Sequence, residues 1–158
     1  MSNAPHQGTF ADVDRSGNAQ FFVACMNAQH TKDSTLRKNK AQTLTLADVQ
    51  AGHVVLDAGC GTGVDAAQMA VQVGATGHVH GIDFSHEMVA AAQANFDATT
   101  LPLTFQQGSI YQLPFNDNFF DRCRADKTFQ HLADPEAALR ELIRVTKRGG
   151  KLVVADPD

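Results

Sequence analysis

Apolar residues recur along the chain at two spacings, and the change between them predicts which segments are helices and which are strands. Spacings of three and four residues, typical of one helix face, mark residues 18–30 and 34–49. Beyond residue 50, short apolar runs typical of buried strands alternate with further segments of helical spacing. The predicted strands are 53–58, 78–84, 101–108, the last part of 111–126 and 151–156, and the predicted helices between them are 64–74, 85–96 and 134–150.

Strands that alternate with helices are typical of a parallel sheet in which each crossover contains a helix. The first strand, HVVLDA at residues 53–58, is an almost continuous apolar run. Such runs are expected where both faces of a sheet are covered. The sequence therefore predicts an α/β fold, with a five-stranded parallel sheet and helices on both of its faces.

The last predicted helix has the clearest start and stop signals. Asp134 can cap its first turn, and Pro135 fits its first position, where the helix needs no backbone N–H. Lys147 and Arg148 would complement the negative end of the helix dipole, and Gly149 would end the helix. These signals predict a helix that reaches almost to the fifth strand.

Composition and charge exclude several classes of protein. The chain of 158 residues is 43% hydrophobic and 19% charged, as in an ordinary globular domain. A net charge of −4 and a pI near 5.9 provide no attraction to nucleic acid or to an anionic membrane. Three widely separated cysteines form no C-x-x-C pair, which favours a reducing compartment. We therefore expect a cytoplasmic protein that binds neither nucleic acid nor a membrane and holds no metal.

The turn after the first sheet strand, in VVLDAGCGTG at residues 54–63, is the strongest candidate for ligand binding. It joins a strand to a helix, and helix N-termini present free backbone N–H groups to a ligand. Gly59, Gly61 and Gly63 give the spacing G-x-G-x-G. A dinucleotide fingerprint would have a small residue where Val64 stands. The turn therefore favours S-adenosylmethionine over a dinucleotide, and a tight turn without a ligand is the alternative.

Two acidic residues lie at informative distances from this turn. Asp57 precedes the first glycine by two residues, where a carboxylate would repel a pyrophosphate and attract the ammonium group of an amino acid. Capping of the following helix is the alternative role of Asp57. Asp83, at the end of the second strand, can accept hydrogen bonds from the ribose hydroxyls of either cofactor.

The stretch from Val54 to Asp158, about two-thirds of the chain, resembles the class I S-adenosylmethionine-dependent methyltransferases, in particular the methyltransferase type 11 or UbiE-like group. Four segments carry the resemblance in the family's order: VLDAGCGTG, GIDFSHEMVAAAQAN, GSIYQLPFNDNFFD and ALRELIRVTKRGGKLVVAD. The resemblance implies S-adenosylmethionine as cofactor, S-adenosylhomocysteine as product and a small-molecule methyl acceptor. A non-catalytic adenosyl-binding module is the first alternative, and an NAD-dependent oxidoreductase is a more distant one.

The resemblance also implies roles for individual residues. It assigns the methionine portion of the cofactor to Gly59, Cys60, Gly61 and Gly63 with Asp57 near its charged tail, the ribose to Asp83, and the adenine side to Phe84, Met88, Ser109 and Ile110. Ser109 stands where the family often has an acid, which implies a weaker hydrogen bond to the adenine amino group. Phe84, at the end of a strand, is alternatively a core residue.

Catalytic candidates follow the fourth strand, in RADKTFQHLADP. Parallel α/β sheets bind ligands beyond the carboxyl ends of their strands, so this segment is expected to face the cofactor. Methyl transfer from a sulfonium is an in-line displacement that needs a general base only when the acceptor carries a proton of high pKa. His131 is the first candidate base and Asp126 the second, and a purely packed or hydrogen-bonded His131 is the alternative.

The chain is expected to have three segments: a flexible leader (1–17), a helical cap (18–50) and a Rossmann-like S-adenosylmethionine-binding domain (51–158). The family's sheet usually has seven strands, whereas the fifth strand here, KLVVAD, is the last in the sequence. We therefore expect either a truncated domain without strands six and seven, or a partner that covers the exposed strand edge. That partner can be a second copy of the chain, which would associate through the same edge.

Overall fold

The computed structural model describes residues 10–32 and 34–156. Its α-helices are α1 (Ala19–Lys32), α2 (Ser34–Ala47), α3 (Val64–Val73), α4 (His86–Asn95) and α5 (Pro135–Val145). Its strands are β1 (Val54–Ala58), β2 (His78–Asp83), β3 (Leu103–Gln107), β4 (Phe120–Asp126) and β5 (Thr146–Ala155). Short 3₁₀ helices cover Phe10–Arg15, Gly74–Thr76 and Phe129–His131. The predicted alternation of strands and helices is confirmed.

The five strands form one parallel sheet in the order β3-β2-β1-β4-β5. The order reverses next to β1, because β2 and β3 extend the sheet on one side and β4 and β5 on the other. In the register of the sheet, Asp57 on β1 lies beside Gly81 on β2 and Arg124 on β4. A crevice therefore opens at the carboxyl ends of β1 and β4, which is where open α/β sheets bind ligands.

Each face of the sheet has its own apolar core. Val55 on β1 belongs to the cluster that packs against α3 and α4, and its neighbour Leu56 belongs to the cluster that packs against α5. Successive side chains of a strand point to opposite faces, so one apolar strand supplies both cores. The predicted coverage of both faces by helices is confirmed.

Helix α5 begins as predicted and ends earlier than predicted. The side chain of Asp134 accepts a hydrogen bond from the backbone N–H of Ala137, which confirms the predicted cap. The helix ends at Val145, and residues 147–149, predicted to form its last turn and its end, belong to β5. The helix ends early because of a tertiary contact: the backbone N–H of Phe119 donates to the carbonyl of Val145 (2.8 Å). The residues after Val145 then pair with β4.

The N-terminal segment is attached to the start of α4 through Asp14. Its carboxylate accepts hydrogen bonds from Ser85 Oγ (2.5 Å) and from the backbone N–H groups of His86 (2.8 Å) and Glu87 (3.3 Å). A carboxylate is favoured at this position because the first N–H groups of a helix lack partners within the helix. Of the leader predicted for residues 1–17, residues 10–17 are thus attached through Asp14 in this structure, and residues 1–9 lie outside the described residues.

Strand β5 lies at an edge of the sheet, and in the described residues it pairs only with β4. Val154 on this strand is 39% exposed. An exposed strand edge with apolar side chains favours pairing with a further strand. We therefore expect this chain to self-associate through β5 in a concentration-dependent way, as measured by sedimentation velocity.

A charge at the edge tests this expectation. Val154→Lys should shift the protein toward the monomer and leave its melting temperature nearly unchanged, because charged side chains prevent strand pairing at edges. Val71→Lys, at a site that is 70% exposed on α3, is the matched control and should leave the association unchanged. A wild-type chain that sediments as a monomer at every concentration would contradict the prediction.

Candidate functional site

A cavity of about 610 Å³ lies at the carboxyl ends of β1, β2 and β4. Its volume is in the range of small-molecule sites. Of the twelve residues predicted for the site, all but Gly63 line it. These are Asp57, Gly59, Cys60, Gly61, Asp83, Phe84, Met88, Ser109, Ile110, Asp126 and His131. The structure therefore brings together residues that are up to 74 positions apart in the sequence.

Two glycines of the turn are required by their backbone conformation and by their close neighbours. Gly59 has φ 77° and Gly61 has φ 53°, in the left-handed region that favours glycine. A Cβ atom on Gly59 would lie 2.1 Å from Thr128 Oγ1, and one on Gly61 would lie 2.8 Å from Met26 Cε. The turn can therefore run this close to Thr128 only with glycine at position 59, whereas at position 61 the left-handed backbone favours glycine and the end of the flexible Met26 side chain can move.

Gly63, for which a ligand contact was predicted, is not among the described residues that line the cavity, and its close neighbours show a packing role. It precedes α3 with φ 82°. A Cβ atom here would lie 2.4 Å from Cζ of Phe105 and 3.0 Å from the Cβ of Ala92. The glycine lets the start of α3 approach the side chains of β3 and α4, which is the physical reason for the difference.

Asp83 connects the glycine turn to the start of α4. Its Oδ2 accepts a hydrogen bond from the backbone N–H of Gly61 (2.9 Å), and its Oδ1 accepts one from that of Ser85 (2.9 Å). Burial raises the pKa of Asp83, and these two backbone bonds oppose the rise. Each carboxylate oxygen has a second lone pair, so Asp83 can still accept hydrogen bonds from hydroxyl groups in the cavity.

The residues predicted for the adenine side differ in exposure. Phe84 is 68% exposed, so the alternative that it is a core residue is wrong. Met88 and Ile110 are buried and present apolar surface to the cavity. The hydroxyl of Ser109 accepts a hydrogen bond from the backbone N–H of Tyr111 (3.2 Å). An exposed ring beside buried apolar side chains can contact a planar ligand.

Asp57 is buried, with 2% of its side chain exposed. Burial raises the pKa of Asp57 to about 6, although the positive charge of Arg124 lowers it. Nη1 of Arg124 donates to Oδ1 of Asp57 (3.2 Å). Asp57 does not cap α3, which has no side-chain cap. The partner of Asp57 in this structure is therefore a buried arginine.

Arg124 lines the cavity and was not identified by the sequence analysis. Its side chain is 2% exposed, and its Nη2 donates to Oδ2 of Asp65 and to Oδ2 of Asp126, both at 3.0 Å. Its Nε and Nη2 also donate to Thr43 Oγ1 on α2 (3.1 and 3.0 Å). The arginine thus links α2 and α3 to the ends of β1 and β4. The sequence did contain a signal for this role: an arginine within a strand that is covered on both faces is buried and must be paired.

The two predicted bases occupy different surroundings. His131 belongs to the 3₁₀ helix Phe129–His131 and is exposed at the rim of the cavity. The side chain of Asp126 is 9% exposed, and one of its oxygens is bonded to Arg124. Lys127, between them, has φ 56° and so carries backbone strain at the edge of the cavity. His131 is the more accessible of the two candidates.

Within residues 10–32 and 34–156, no group of three or more His, Cys, Asp or Glu side chains is arranged to hold a metal ion. In the same part of the chain, no helix has both the length and the apolar character that crossing a bilayer requires. The charged groups beside the glycine turn are instead paired with one another. The described lining of the cavity thus combines paired charged groups with backbone groups and apolar side chains.

Known proteins are similar to this chain in sequence and in fold. A family model described as a methyltransferase domain matches residues 50–158. An uncharacterized 37.1 kDa protein in transposon Tn4556 of Streptomyces fradiae is 41% identical over 137 residues, which are 86% of this chain and 39% of that protein. The ubiquinone/menaquinone biosynthesis C-methyltransferase UbiE of Bdellovibrio bacteriovorus is 40% identical over 107 residues, which are 68% of this chain and 45% of that protein.

The solved structures agree with the sequence relatives. The crystal structure of an S-adenosylmethionine-dependent methyltransferase from Aquifex aeolicus is 29% identical, with a TM-score of 0.67 over 73% of this chain and 62% of that one. The chain spans less than half the length of the two curated relatives described above. The family match covers the whole sheet and argues against the NAD-dependent alternative. The chain belongs to the methyltransferase domain family, among the class I S-adenosylmethionine-dependent methyltransferases.

Proposed function

We propose that the protein containing this chain transfers a methyl group from S-adenosylmethionine to a small-molecule acceptor. The observation that carries the proposal is the position of Asp83, which borders the cavity and holds the glycine turn against the start of α4. The name of the UbiE relative supports methyl transfer as the reaction. The three free cysteines support a cytoplasmic location.

The residues that line the cavity fit an adenosyl cofactor. Asp83 has free lone pairs for the ribose hydroxyls, and the exposed ring of Phe84 can lie against the adenine. Gly59 and Gly61 line the cavity with backbone alone, so the methionine portion can lie directly against the turn. Bound S-adenosylmethionine supplies a methyl group that its positively charged sulfur has already activated.

The contribution of the chain to catalysis is mainly to position the reactants and to exclude water. Holding the donor and the acceptor in line supplies a large part of the rate enhancement in such a displacement. His131, exposed at the rim, is the proposed base for an acceptor that must lose a proton. Asp126 has the proposed role of orienting Arg124, because one of its oxygens is bonded to that guanidinium.

The outer part of the cavity favours a small organic acceptor. Tyr111, Leu132 and the exposed Phe84 contribute apolar surface there, and His131 contributes a polar group. Such a lining suits a molecule with an apolar body and one polar group that becomes methylated. The quinone pathway in the name of the UbiE relative supports an acceptor of this kind.

Replacement of Asp83 tests the proposed cofactor. We expect the wild-type protein to bind S-adenosylmethionine and S-adenosylhomocysteine in isothermal titration calorimetry and to show no measurable affinity for NAD. Asp83→Ala should weaken both adenosyl ligands by about 1–3 kcal/mol, because it removes charge-assisted hydrogen bonds to the ribose.

Asp97→Ala is the matched control, since Asp97 is an exposed turn carboxylate that does not line the cavity. This variant should bind both ligands as the wild type does. Tighter binding of NAD than of either adenosyl ligand would refute the proposed cofactor. Unchanged affinities in a folded Asp83→Ala variant would remove Asp83 from the site.

A further inference from the structure

Two histidine side chains converge on one point at the surface of the sheet. His78 and His80 lie two positions apart on β2, so their side chains project from the same face. Thr104 on the neighbouring strand β3 is the register partner of His80. Its Oγ1 lies 3.2 Å from Nε2 of His78 and 3.3 Å from Nδ1 of His80. One hydroxyl oxygen therefore occupies the position that a ring nitrogen of each histidine faces.

This hydroxyl cannot use the lone pairs of both nitrogens at once. A neutral imidazole has one N–H donor and one nitrogen lone pair, and a hydroxyl has a single proton to donate. Thr104 can thus donate to only one of the two nitrogens, and the other histidine donates its N–H to the hydroxyl oxygen. A divalent metal ion at the same position would accept lone pairs from both histidines. The three side chains are therefore arranged as a chelating pair with a hydroxyl between its nitrogens.

Metal coordination requires only a small movement of the two rings. Bonds between zinc and imidazole nitrogen are about 2.0–2.1 Å long, so a metal ion in place of the hydroxyl oxygen would draw each nitrogen about 1.2 Å closer. Thr104 is exposed, and both histidines are partly exposed. The threonine can therefore rotate away, and an ion can enter directly from the solvent.

The ring of His80 is oriented by neighbouring aromatic rings. Its centroid lies 5.2 Å from that of Phe115, 6.0 Å from that of Phe119 and 5.6 Å from that of Phe120, each in an edge-to-face arrangement. The centroid of His78 lies 4.6 Å from that of His80. Packing of this kind restricts the imidazole before an ion arrives, which reduces the entropic cost of binding.

The chemistry of the two ligands selects the class of ion. Imidazole nitrogen suits Zn²⁺ and other late transition metals, whereas Mg²⁺ and Ca²⁺ prefer oxygen ligands. In the part of the chain that the structure describes, no set of three His, Cys, Asp or Glu side chains is arranged to hold an ion. The pair thus leaves coordination positions to water, and we expect micromolar affinity instead of the tight binding of a closed four-ligand site.

We propose that His78 and His80 bind Zn²⁺ as a chelating pair, at a site separate from the cavity. Neither histidine is among the described residues that line the cavity. His80 precedes Asp83 by three positions on the same strand, a distance of about 10 Å. The site therefore takes no part in methyl transfer, and the inference does not rest on the proposed function.

Calorimetric titration of the untagged, metal-free chain with Zn²⁺ tests the proposal. We expect Zn²⁺ to bind and Mg²⁺ to show no binding at the same concentrations. His80→Phe keeps an aromatic ring among the phenylalanines and removes the ligating nitrogen. This variant and His78→Gln should each weaken the binding of Zn²⁺ at least about tenfold, because a single imidazole cannot chelate the ion.

Two further variants serve as controls. His86→Gln is the matched control, since the side chain of His86 is 70% exposed on another element, at the start of α4, and its replacement should leave the affinity for Zn²⁺ unchanged. Thr104→Val removes the hydroxyl between the two nitrogens and should bind Zn²⁺ at least as tightly as the wild type. Long-range ¹H–¹⁵N NMR of the imidazoles locates the ion, which should shift Nε2 of His78 and Nδ1 of His80.

Three results would overturn the proposal. The first is no binding of Zn²⁺ at millimolar concentration, and the second is equal affinity in the wild type and in folded His78→Gln. The third is a set of NMR shifts confined to other histidines. If His80→Phe fails to fold, His78→Gln and the NMR shifts of the wild type still decide the question. A chain that binds Zn²⁺ at this pair but binds no adenosyl ligand would refute the proposed function and support this site.

Discussion

Arg124→Met is expected to lower the free energy of unfolding by about 3–5 kcal/mol, because it leaves buried carboxylates without their partner. Asp57, Asp65 and Asp126 would all lose the guanidinium that contacts each of them at 3.0–3.2 Å. Methionine replaces the aliphatic part of the arginine side chain and has no charge, so the variant removes the ion pairs and keeps the packing of that part. Urea unfolding, followed by circular dichroism, measures the loss.

The stability that Arg124→Met loses should also depend on pH. Burial already raises the pKa of Asp57 to about 6 against the lowering effect of Arg124, so removing the guanidinium raises this pKa further. When the pKa of a carboxyl group is higher in the folded than in the unfolded state, the fold becomes less stable as the pH rises from the unfolded-state pKa to the folded-state pKa. We therefore expect Arg124→Met to lose more stability at pH 8 than at pH 5.

Arg122→Met is the matched control for this prediction. Arg122 lies two residues earlier on the same face of β4, and its guanidinium bonds the carbonyl of Asp48 (3.1 Å) and lies 3.6 Å from the carboxylate of that residue. Because that carboxylate is 42% exposed, the pair is screened by water, and its loss should cost about 1 kcal/mol or less. Equal losses in the two variants would contradict the special role assigned to Arg124.

Gly59→Ala is expected to remove measurable binding of S-adenosylmethionine and to destabilise the fold by about 2–4 kcal/mol. The added methyl group would lie 2.1 Å from Thr128 Oγ1 and 3.0 Å from its Cβ, so the turn or the end of β4 must move. Left-handed backbone at φ 77° adds strain for alanine. Calorimetric titration measures the binding, and thermal unfolding measures the stability.

Two further variants separate the clash from the backbone strain. Gly149→Ala has a comparable φ of 76° and no atom within 4 Å of the added Cβ, so it should cost only about 1 kcal/mol and leave binding intact. Adding Thr128→Ala to Gly59→Ala removes the two nearest atoms and should restore part of the binding. Full binding by Gly59→Ala alone would show that the turn is not held as described.

The sequence was sufficient to predict the features that depend on local pattern and on general rules of parallel sheets. Asp134 was predicted as a helix cap, and its side chain accepts a backbone hydrogen bond at the start of α5. Asp57 and Asp83 come at or near the ends of neighbouring strands, and parallel pairing places such ends at one edge of the sheet. Most of the candidate site could be assembled in this way.

The features that the sequence did not predict depend on contacts between distant residues. The end of α5 is determined by the hydrogen bond from Phe119 to Val145, and the helix signals beyond that point had no way to reveal it. Arg124 meets Thr43, which is 81 positions earlier in the chain. Gly63 fits the spacing of a ligand-binding turn, but only the packed position of Phe105 shows why it must be glycine.

The attachment of Asp14 to the start of α4 has a consequence for hydrogen exchange. The backbone amides of His86 and Glu87 belong to the first turn of the helix, where they have no carbonyl partner within it. Their hydrogen-bond acceptor is instead a side chain from the N-terminal segment. Protection of these two amides against deuterium therefore requires that the segment be in place. Their exchange rates measure how often residues 10–17 detach from the domain.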